Sequence, residues 1–455
     1  MVIDFLVAAA VFVAVSVARY GATWQESWHQ LGADPSIAAA TFGLGWVVLV
    51  WLQGLYRIRA RWSLVSETMA LMRAVGILAL ATITVLFVVQ ISDASRLVIG
   101  VLFIALAGMA VVARVGLRAF FHWARRQGHM TRFVLVAGAN PEAQEFADRI
   151  ERHPDLGLRV IGHLAATDEP SAPLTRPVLA PLDDIEQVLH EHVVDEVAVC
   201  LPVEEWDMVE PVTRLCAGEG KVVRVPGDGR GPAIEGGYGE EFDGIHVTSL
   251  VYGPDRAVGL VIKRALDIIV AATLLVVLSP LFGLIALYIA LRDGRPVIFR
   301  QTRVGLHGRR FELLKFRTMQ PDAEARLAEV EALNEVRGRA FKLTLDPRLT
   351  RSGSLLRRTS LDELPQLWNV LRGEMSLVGP RPPLPGEVAG YDVWHRRRLS
   401  MKPGITGLWQ VSARREEDFD RWVEKDLEYI DHWSLWLDAK IALRTVPAVL
   451  RLEGR

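Results

Sequence analysis

Cysteine is scarce in this chain, and net charge is close to zero. Only Cys200 and Cys216 occur among 455 residues, with no CxxC or zinc-like spacing. That excludes a disulfide framework and a thiolate metal centre, leaving two free thiols suited to a reducing compartment. The formal net charge is −1, which excludes a broadly basic nucleic-acid binder, so no nucleic acid partner is expected. No Walker A loop and no GxSxG elbow occur, removing two common nucleotide and hydrolase chemistries. The turn Gly138-Ala-Asn-Pro-Glu-Ala143 follows a β-branched run but lacks the second and third glycines of a dinucleotide fingerprint.

What the chain has in excess is apolar sequence: 51% of residues are hydrophobic, and they are concentrated. Four runs lie within residues 1–121, roughly Val2–Ala18, Ile37–Leu55, Ala74–Ile91 and Leu97–Ala113. Each approaches the ~20 residues that cross a bilayer as a helix. A cleaved signal peptide explains the first run poorly, because no basic segment precedes it and three more runs follow. The second connection carries Arg57, Arg59 and Arg61, and the exit of the fourth run carries Arg114, Arg118, Arg125, Arg126 and Arg132. The first and third connections carry Asp34, and Asp93 with Arg96. The positive-inside rule therefore places the N-terminus and everything after Arg114 in the cytosol, with Arg19 running against it.

Residues 132–229 change character. Short strands near Phe133–Ala137, Leu158–Ile161, Glu196–Leu201 and Lys221–Val225 alternate with helical patterns, which predicts a small Rossmann-like α/β domain. Residues 230–257 read as a Gly-rich linker.

A fifth apolar run, 258–291, opens the last segment, 258–455, and is interrupted by Ser279-Pro280. Proline there breaks a helix, so the run is either a kinked span or a re-entrant hairpin whose freed backbone groups the Ser279 hydroxyl satisfies. Beyond it, Phe311-Glu-Leu-Leu-Lys-Phe-Arg317 alternates like a half-buried strand presenting Lys315 and Arg317, and a charged stretch from Asp322 to Arg339 reads as a solvated helix. Arg348, Arg351, Arg357, Arg358 and Arg381 each lie within two residues of Gly, Pro, Ser or Thr. They read either as a phosphate-handling set, since guanidinium forks fit phosphate, or as surface cations near anionic lipid.

Between them lies Ser360-Leu-Asp362-Glu363-Leu-Pro-Gln-Leu-Trp-Asn369. The stripe Leu364, Leu367, Trp368, Leu371 predicts a helix, and Pro365 places its start near Leu361 to Leu364. Asp362 and Glu363 then sit at a helix N-terminus, where carboxylates stay ionised and phosphate gathers. A plainer reading makes Asp362 an N-cap and Ser360-x-x-Glu363 a capping box. Two adjacent hard oxygen ligands also suit magnesium.

Lys263-Arg264-x-x-Asp267, the Ser279-Pro280 break, Lys315-Phe-Arg317-Thr-Met319, the Asp362-Glu363 segment, Gly379-Pro-Arg381-Pro382 and Pro403-Gly-Ile-Thr-Gly407 occur in this order. Together they resemble the bacterial sugar transferases, the monotopic polyprenyl-phosphate hexose-1-phosphate transferases. The four-helix and α/β layout is similar to their large members. The resemblance implies a mixed membrane protein: a four-helix transmembrane bundle, a Rossmann-like domain, and an α/β catalytic domain on a re-entrant membrane helix. It implies a bacterial inner-membrane location with a cytosolic catalytic domain, Mg2+, a UDP-sugar donor and a polyprenyl phosphate acceptor. By motif, Asp362 is the nucleophile of a catalytic pair with Glu363, and both are the metal ligands. Lys315, Arg317, Arg357, Arg381, Thr406 and Gln410 are expected to bind phosphate or nucleotide, and Ser279 and Pro280 to form the membrane break. A homodimer is a working assumption only. The rivals are a catalytically silent membrane scaffold of polysaccharide synthesis and a glycosyltransferase that moves sugar alone and releases UDP.

Overall fold

A computed structural model describes residues 1–30, 32–53, 55–56, 64–88, 96–126, 131–154, 157–166, 173–227, 237–250, 257–330, 334–335, 343, 346–412, 416 and 418–450. Packing divides the chain into two compact units.

The first unit comprises Met1–Thr131 with His153–Gly157 and Glu240–Gly244. Helices Val2–Tyr20, Pro35–Leu52, Leu64–Val88 and Arg96–Arg126 match the four apolar runs. All four are long and apolar enough to cross a membrane. Asp34 starts the second by accepting the Ser36 and Ile37 N–H groups at 2.9 and 3.0 Å, as an N-cap does. Trp46, Leu71 and Leu106 are buried between the helices, while Phe87 and Ile104 stand 82% and 75% exposed. Bundle helices with an apolar outer surface suit lipid rather than water. Arg57, Arg59, Arg61 and Asp93 lie outside the described residues. The side chains of Arg96, Arg118, Arg125 and Arg126 do as well, so the loop-charge asymmetry rests on sequence.

The second unit comprises Arg132–Arg152, Leu158–Gly239 and Ile245–Arg455. A seven-stranded sheet holds β1 (Arg132–Ala137), β2 (Leu158–Ala165), β3 (Val178–Pro181), β4 (Glu196–Val199), β5 (Val222–Pro226), β6 (Tyr238–Phe242) and β7 (Ile245–Leu250). The order is β3-β2-β1-β4-β5-β7-β6, parallel from β3 through β5 and antiparallel between β5 and β7. Both cysteines are free and buried here. Strands β6 and β7 fall inside the span read as a linker. Their connection, Asp243-Gly244 with φ of 48° and 84°, is the two-residue turn that favours a hairpin, a signal the Gly-rich surroundings masked.

The remainder begins with helices Ala257–Val277 and Ser279–Arg292. Their axes bend by 61° at the Ser279-Pro280 break. The Ser279 hydroxyl donates to the Val276 carbonyl at 2.8 Å, as the freed backbone requires. β8 (Ile298–Val304) and β9 (Arg310–Phe316) form an antiparallel hairpin. β10 (Ser376–Val378) pairs in parallel with β11 (Gly404–Thr406). Of the charged stretch 322–339, the described part holds one four-residue helix, Leu327–Val330, rather than a continuous surface helix.

Three charged residues of helix Ala257–Val277 grip the rest of this unit. Lys263 Nζ donates to the Val378 carbonyl at 2.9 Å and to Asp438 at 2.7 Å. The Arg264 guanidinium donates to the Val370 and Leu371 carbonyls at 2.6 and 2.9 Å, satisfying the end of helix Gln366–Arg372. Asp267 accepts from the Ser376 hydroxyl at 2.8 Å and the Leu377 N–H at 3.1 Å.

Candidate active site

Thr350 caps helix Arg351–Arg358 by accepting the Gly353 N–H at 3.0 Å. Near its end Arg357 donates through Nε to the Thr318 hydroxyl at 3.2 Å. The chain then turns through Ser360, which sits in the left-handed region at φ 54°, into a 3-10 turn, Leu361–Glu363. Helix Gln366–Arg372 follows and stops at Gly373, φ 85°.

The expected capping box is not formed. Ser360 makes no side-chain capping bond, because its left-handed backbone replaces the extended conformation of an N-cap. The Glu363 carboxylate instead accepts from Lys315 Nζ on β9 at 2.9 Å. The apolar stripe also differs: Leu367 is buried but Trp368 is 47% exposed, with the Arg372 guanidinium 5.8 Å from its ring. Asn369 takes the inward position. Its amide donates to the Glu312 carbonyl at 2.7 Å and to Glu374 at 2.6 Å, and its carbonyl accepts the Leu314 N–H at 3.0 Å. The fully buried Asn369 thus stitches the helix after Asp362-Glu363 to the strand that carries Lys315.

Asp362 is buried, and among the described residues no side chain hydrogen-bonds its carboxylate. Burial, reinforced by the charge of Glu363, pushes its carboxyl up to about 6, against the pull of Lys315 and Arg357. At neutral pH it is still mostly ionised.

These groups line a cavity of about 1220 Å³, above the ~300–1,000 Å³ of common small-ligand sites. Lys315, Arg317, Arg357, Arg381, Asp362, Glu363, Thr406 and Gln410 all face it. Val270 and Leu274 of helix Ala257–Val277, with Leu278 just beyond its end, supply an apolar wall. Ser279 and Pro280 are not on its lining. Of the other arginines, Arg348 lines the cavity but is held in a buried pair with Asp346 at 2.7 Å, while Arg351 and Arg358 lie outside it and exposed.

The cavity cations have distinct tethers. Arg317 donates through one nitrogen to the Asp293 and Gly294 carbonyls at 2.5 and 2.8 Å, and its Nε and Nη1 are buried without a partner among the described residues. Arg381 lies 3.7 Å from Glu387 and 5.9 Å from the Trp422 ring. Its loop is fixed by backbone contact: a Cβ on Gly379 would meet the Lys402 carbonyl at 2.3 Å, and one on Gly404 would meet Gly379 N at 2.1 Å. Only glycine fits both places. Thr406 shares a hydroxyl contact with Thr445 at 2.8 Å, and the Gln410 amide donates to the Ile405 carbonyl at 3.4 Å.

Arg303 was not among the site residues expected from sequence. It lines the same cavity, donates to Gln301 at 2.7 and 3.0 Å, and donates to the Pro382 carbonyl at 2.9 Å. Burial first, then the neighbouring Arg381, lowers its guanidinium to about 10. Its signal was the period-two alternation of Phe299, Gln301 and Arg303, which pair across the hairpin with Lys315, Leu313 and Phe311 and so share a face with Lys315.

Among the described residues no group of three His, Cys, Asp or Glu converges to hold a metal. A cation here would have two carboxylates from the protein at most, the pattern of magnesium completed by phosphate and water. The buried Asp362 carboxylate, with no side-chain donor on it, fits that role.

Residues 258–452 match the family described as bacterial sugar transferase, and residues 52–224 match one described as a CoA-binding domain. The chain is 32% identical over 428 residues to the UDP-glucose:undecaprenyl-phosphate glucose-1-phosphate transferase of Xanthomonas campestris pv. campestris, covering 91% of this chain and 86% of that one. The protein of the same description from Escherichia coli (strain K12) is 33% identical over 348 residues, 74% and 71% of the two chains. Galactosyl transferase CpsE of Streptococcus agalactiae serotype III is 48% identical over 199 residues, 43% of each. The chain spans about two fifths of the length of several curated relatives it matches.

Proposed function

This chain belongs to the bacterial sugar transferase family, and from that premise we propose that it transfers a hexose-1-phosphate from a UDP-sugar to polyprenyl phosphate and releases UMP. The observation that carries the reading is the Asp362 carboxylate, buried without a side-chain donor among the described residues, on a cavity wall shared by several cations and an apolar helix.

The ionised Asp362 oxygen attacks the sugar-linked phosphorus of the donor. The bond from that phosphorus to the bridging oxygen breaks, UMP leaves, and hexose-1-phosphate remains joined to Asp362 as an acyl phosphate, a mixed anhydride. An oxygen of polyprenyl phosphate then attacks the same phosphorus, frees Asp362 and gives the polyprenyl diphosphate sugar. Splitting one displacement into two is the gain of covalent catalysis. The acceptor is already an anion at neutral pH and needs little help from a general base. Glu363, held by Lys315, therefore serves mainly in positioning and metal binding. Arg357 and Arg381 clamp the phosphates whose charge shifts as UMP departs. Asp362 and Glu363 would hold Mg2+, which when bound neutralises charge on the transferring and leaving phosphates. Thr406 and Gln410 line the nucleotide end.

The hairpin 258–291 enters and returns on one membrane face, keeping the cavity on the cytosolic side of the bacterial inner membrane. The apolar wall of Val270, Leu274 and Leu278 admits the lipid acceptor from the bilayer. The product starts an exopolysaccharide, capsule or O-antigen glycan.

The test incubates membranes holding wild type or Asp362→Asn with undecaprenyl phosphate and a panel of UDP-sugars, with Mg2+ or with EDTA. UMP is expected from wild type with Mg2+ alone. Absence of UMP from every donor, or equal UMP from Asp362→Asn, overturns the proposal; release of UDP instead identifies transfer of sugar alone.

A further inference from the structure

The cavity arginines are supported from an unexpected direction. The turn joining β8 to β9, Gly305–Arg309, reaches the seven-stranded domain. Arg309 donates both terminal nitrogens to Asp195 at 2.5 and 2.6 Å. Asp195 is 3% exposed and also accepts the Phe133 N–H at 2.7 Å. The Arg309 guanidinium lies 5.8 Å from the Phe133 ring. Beside them His307, with a left-handed φ of 53°, sits 3.9 Å from the same carboxylate. A forked pair with both partners fixed is the most directional ion contact available to side chains.

The same turn feeds the strand that sets Arg381. Immediately before it, the Val304 N–H donates to the Pro383 carbonyl at 2.9 Å, and Arg303 donates to the Pro382 carbonyl at 2.9 Å. Those two carbonyls follow Arg381 directly. A continuous chain of directed contacts therefore runs from Asp195 through Arg309 and the turn to Arg303, and from there to the Arg381 loop on the cavity wall.

We infer that Asp195, in the seven-stranded domain, is a positioning residue for the transferase site, holding the β8–β9 turn so that Arg303 and Arg381 meet the donor's phosphates. The inference rests on the function proposed above. It gives the domain a part in donor binding that needs no ligand of its own.

The experiment measures UMP release by the full-length protein in membranes across UDP-sugar concentration, with melting temperature recorded alongside. Asp195→Asn leaves Arg309 facing a neutral amide and is expected to raise KM for the donor about ten-fold with kcat within about two-fold, the split of a binding rather than a chemical defect. Arg309→Lys keeps the charge without the fork and is expected to fall between the two. Glu219→Gln is the control. Glu219 contacts His190 at 2.8 Å and Arg396 at 3.8 Å elsewhere in the same domain contact, so its loss is expected to lower melting temperature and leave KM unchanged. An unchanged KM in both Asp195→Asn and Arg309→Lys, or an equal rise in Glu219→Gln, overturns the inference. A wild type that makes no UMP would instead overturn the proposed function.

Discussion

Replacing Gly353 by alanine tests whether the cavity is built as described, because it moves Arg357 without touching it. A Cβ at this position would stand 1.9 Å from the Thr318 carbonyl oxygen and 2.6 Å from its carbon. Contacts under 3.0 Å essentially never occur for real Cβ atoms, and the obstacle is backbone, so helix Arg351–Arg358 and residue 318 must separate by about 1 Å in this close-packed interior. That separation stretches the Thr350 N–H to Thr318 carbonyl bond, now 2.9 Å, and the Arg357 Nε to Thr318 hydroxyl bond, now 3.2 Å. Overpacking costs about 1–3 kcal/mol of stability, to which the weakened backbone bond adds about 1 kcal/mol. For the reaction, a 1 Å misplacement costs about 10²-fold in rate, or about 2.7 kcal/mol of barrier. The assay is initial UMP release at saturating donor, with Gly386→Ala in parallel because a Cβ there meets nothing within 4 Å. Gly353→Ala activity within about three-fold of Gly386→Ala would refute the packing argument and the placing of Arg357 at the reacting phosphate.

In the proposed reaction Asp362, whose carboxyl burial pushes up to about 6, acts as its anion. The single-turnover rate of UMP formation at low Mg2+ should therefore fall about ten-fold per pH unit below that value and level off above it, and a flat profile from pH 5 to 7 would count against the nucleophile assignment. The sign for stability is opposite: a raised folded value means that ionising Asp362 costs stability as pH rises from 3.8 towards about 6, so the active form is the less stable one. Asn369→Ala leaves the Leu314 N–H and Glu312 carbonyl without their partner and should cost about 1–3 kcal/mol, lowering kcat more than KM because the strand bearing Lys315 loosens from the Asp362 turn; equal kinetics to wild type would show that the stitch is dispensable.

Much of this site was legible in sequence where the chemistry is carried by local pattern. Asp362, Glu363, Lys315, Arg317, Arg357, Arg381, Thr406 and Gln410 line one cavity although they span nearly a hundred residues, and the four apolar helices fall where the runs are. What escaped was set by non-local partners. The capping box is a local pattern that lost to Lys315, a partner 48 residues away. Trp368 turned outward because Asn369 found its bonds on a distant strand. Arg303 lies in a strand, Ile298–Val304, that was not read from sequence, and its importance depends on Pro382, 79 residues on. The edge strand Val178–Pro181 and the β6–β7 hairpin were missed because proline, glycine and two adjacent glutamates blur the alternation a strand normally shows.

The grip of Lys263, Arg264 and Asp267 makes the bent apolar helix pair the footing of the fold rather than its tether. Arg264 closes the last turn of the helix that follows Asp362-Glu363, and Asp267 holds the strand that leads into the Arg381 loop. Tilt or depth imposed on this pair by its surroundings is thereby delivered to both sides of the cavity at once. In the membrane setting proposed above, bilayer thickness and lateral pressure become inputs to the geometry of the cavity. An excised soluble fragment beginning after the pair would lose those fixings along with its address.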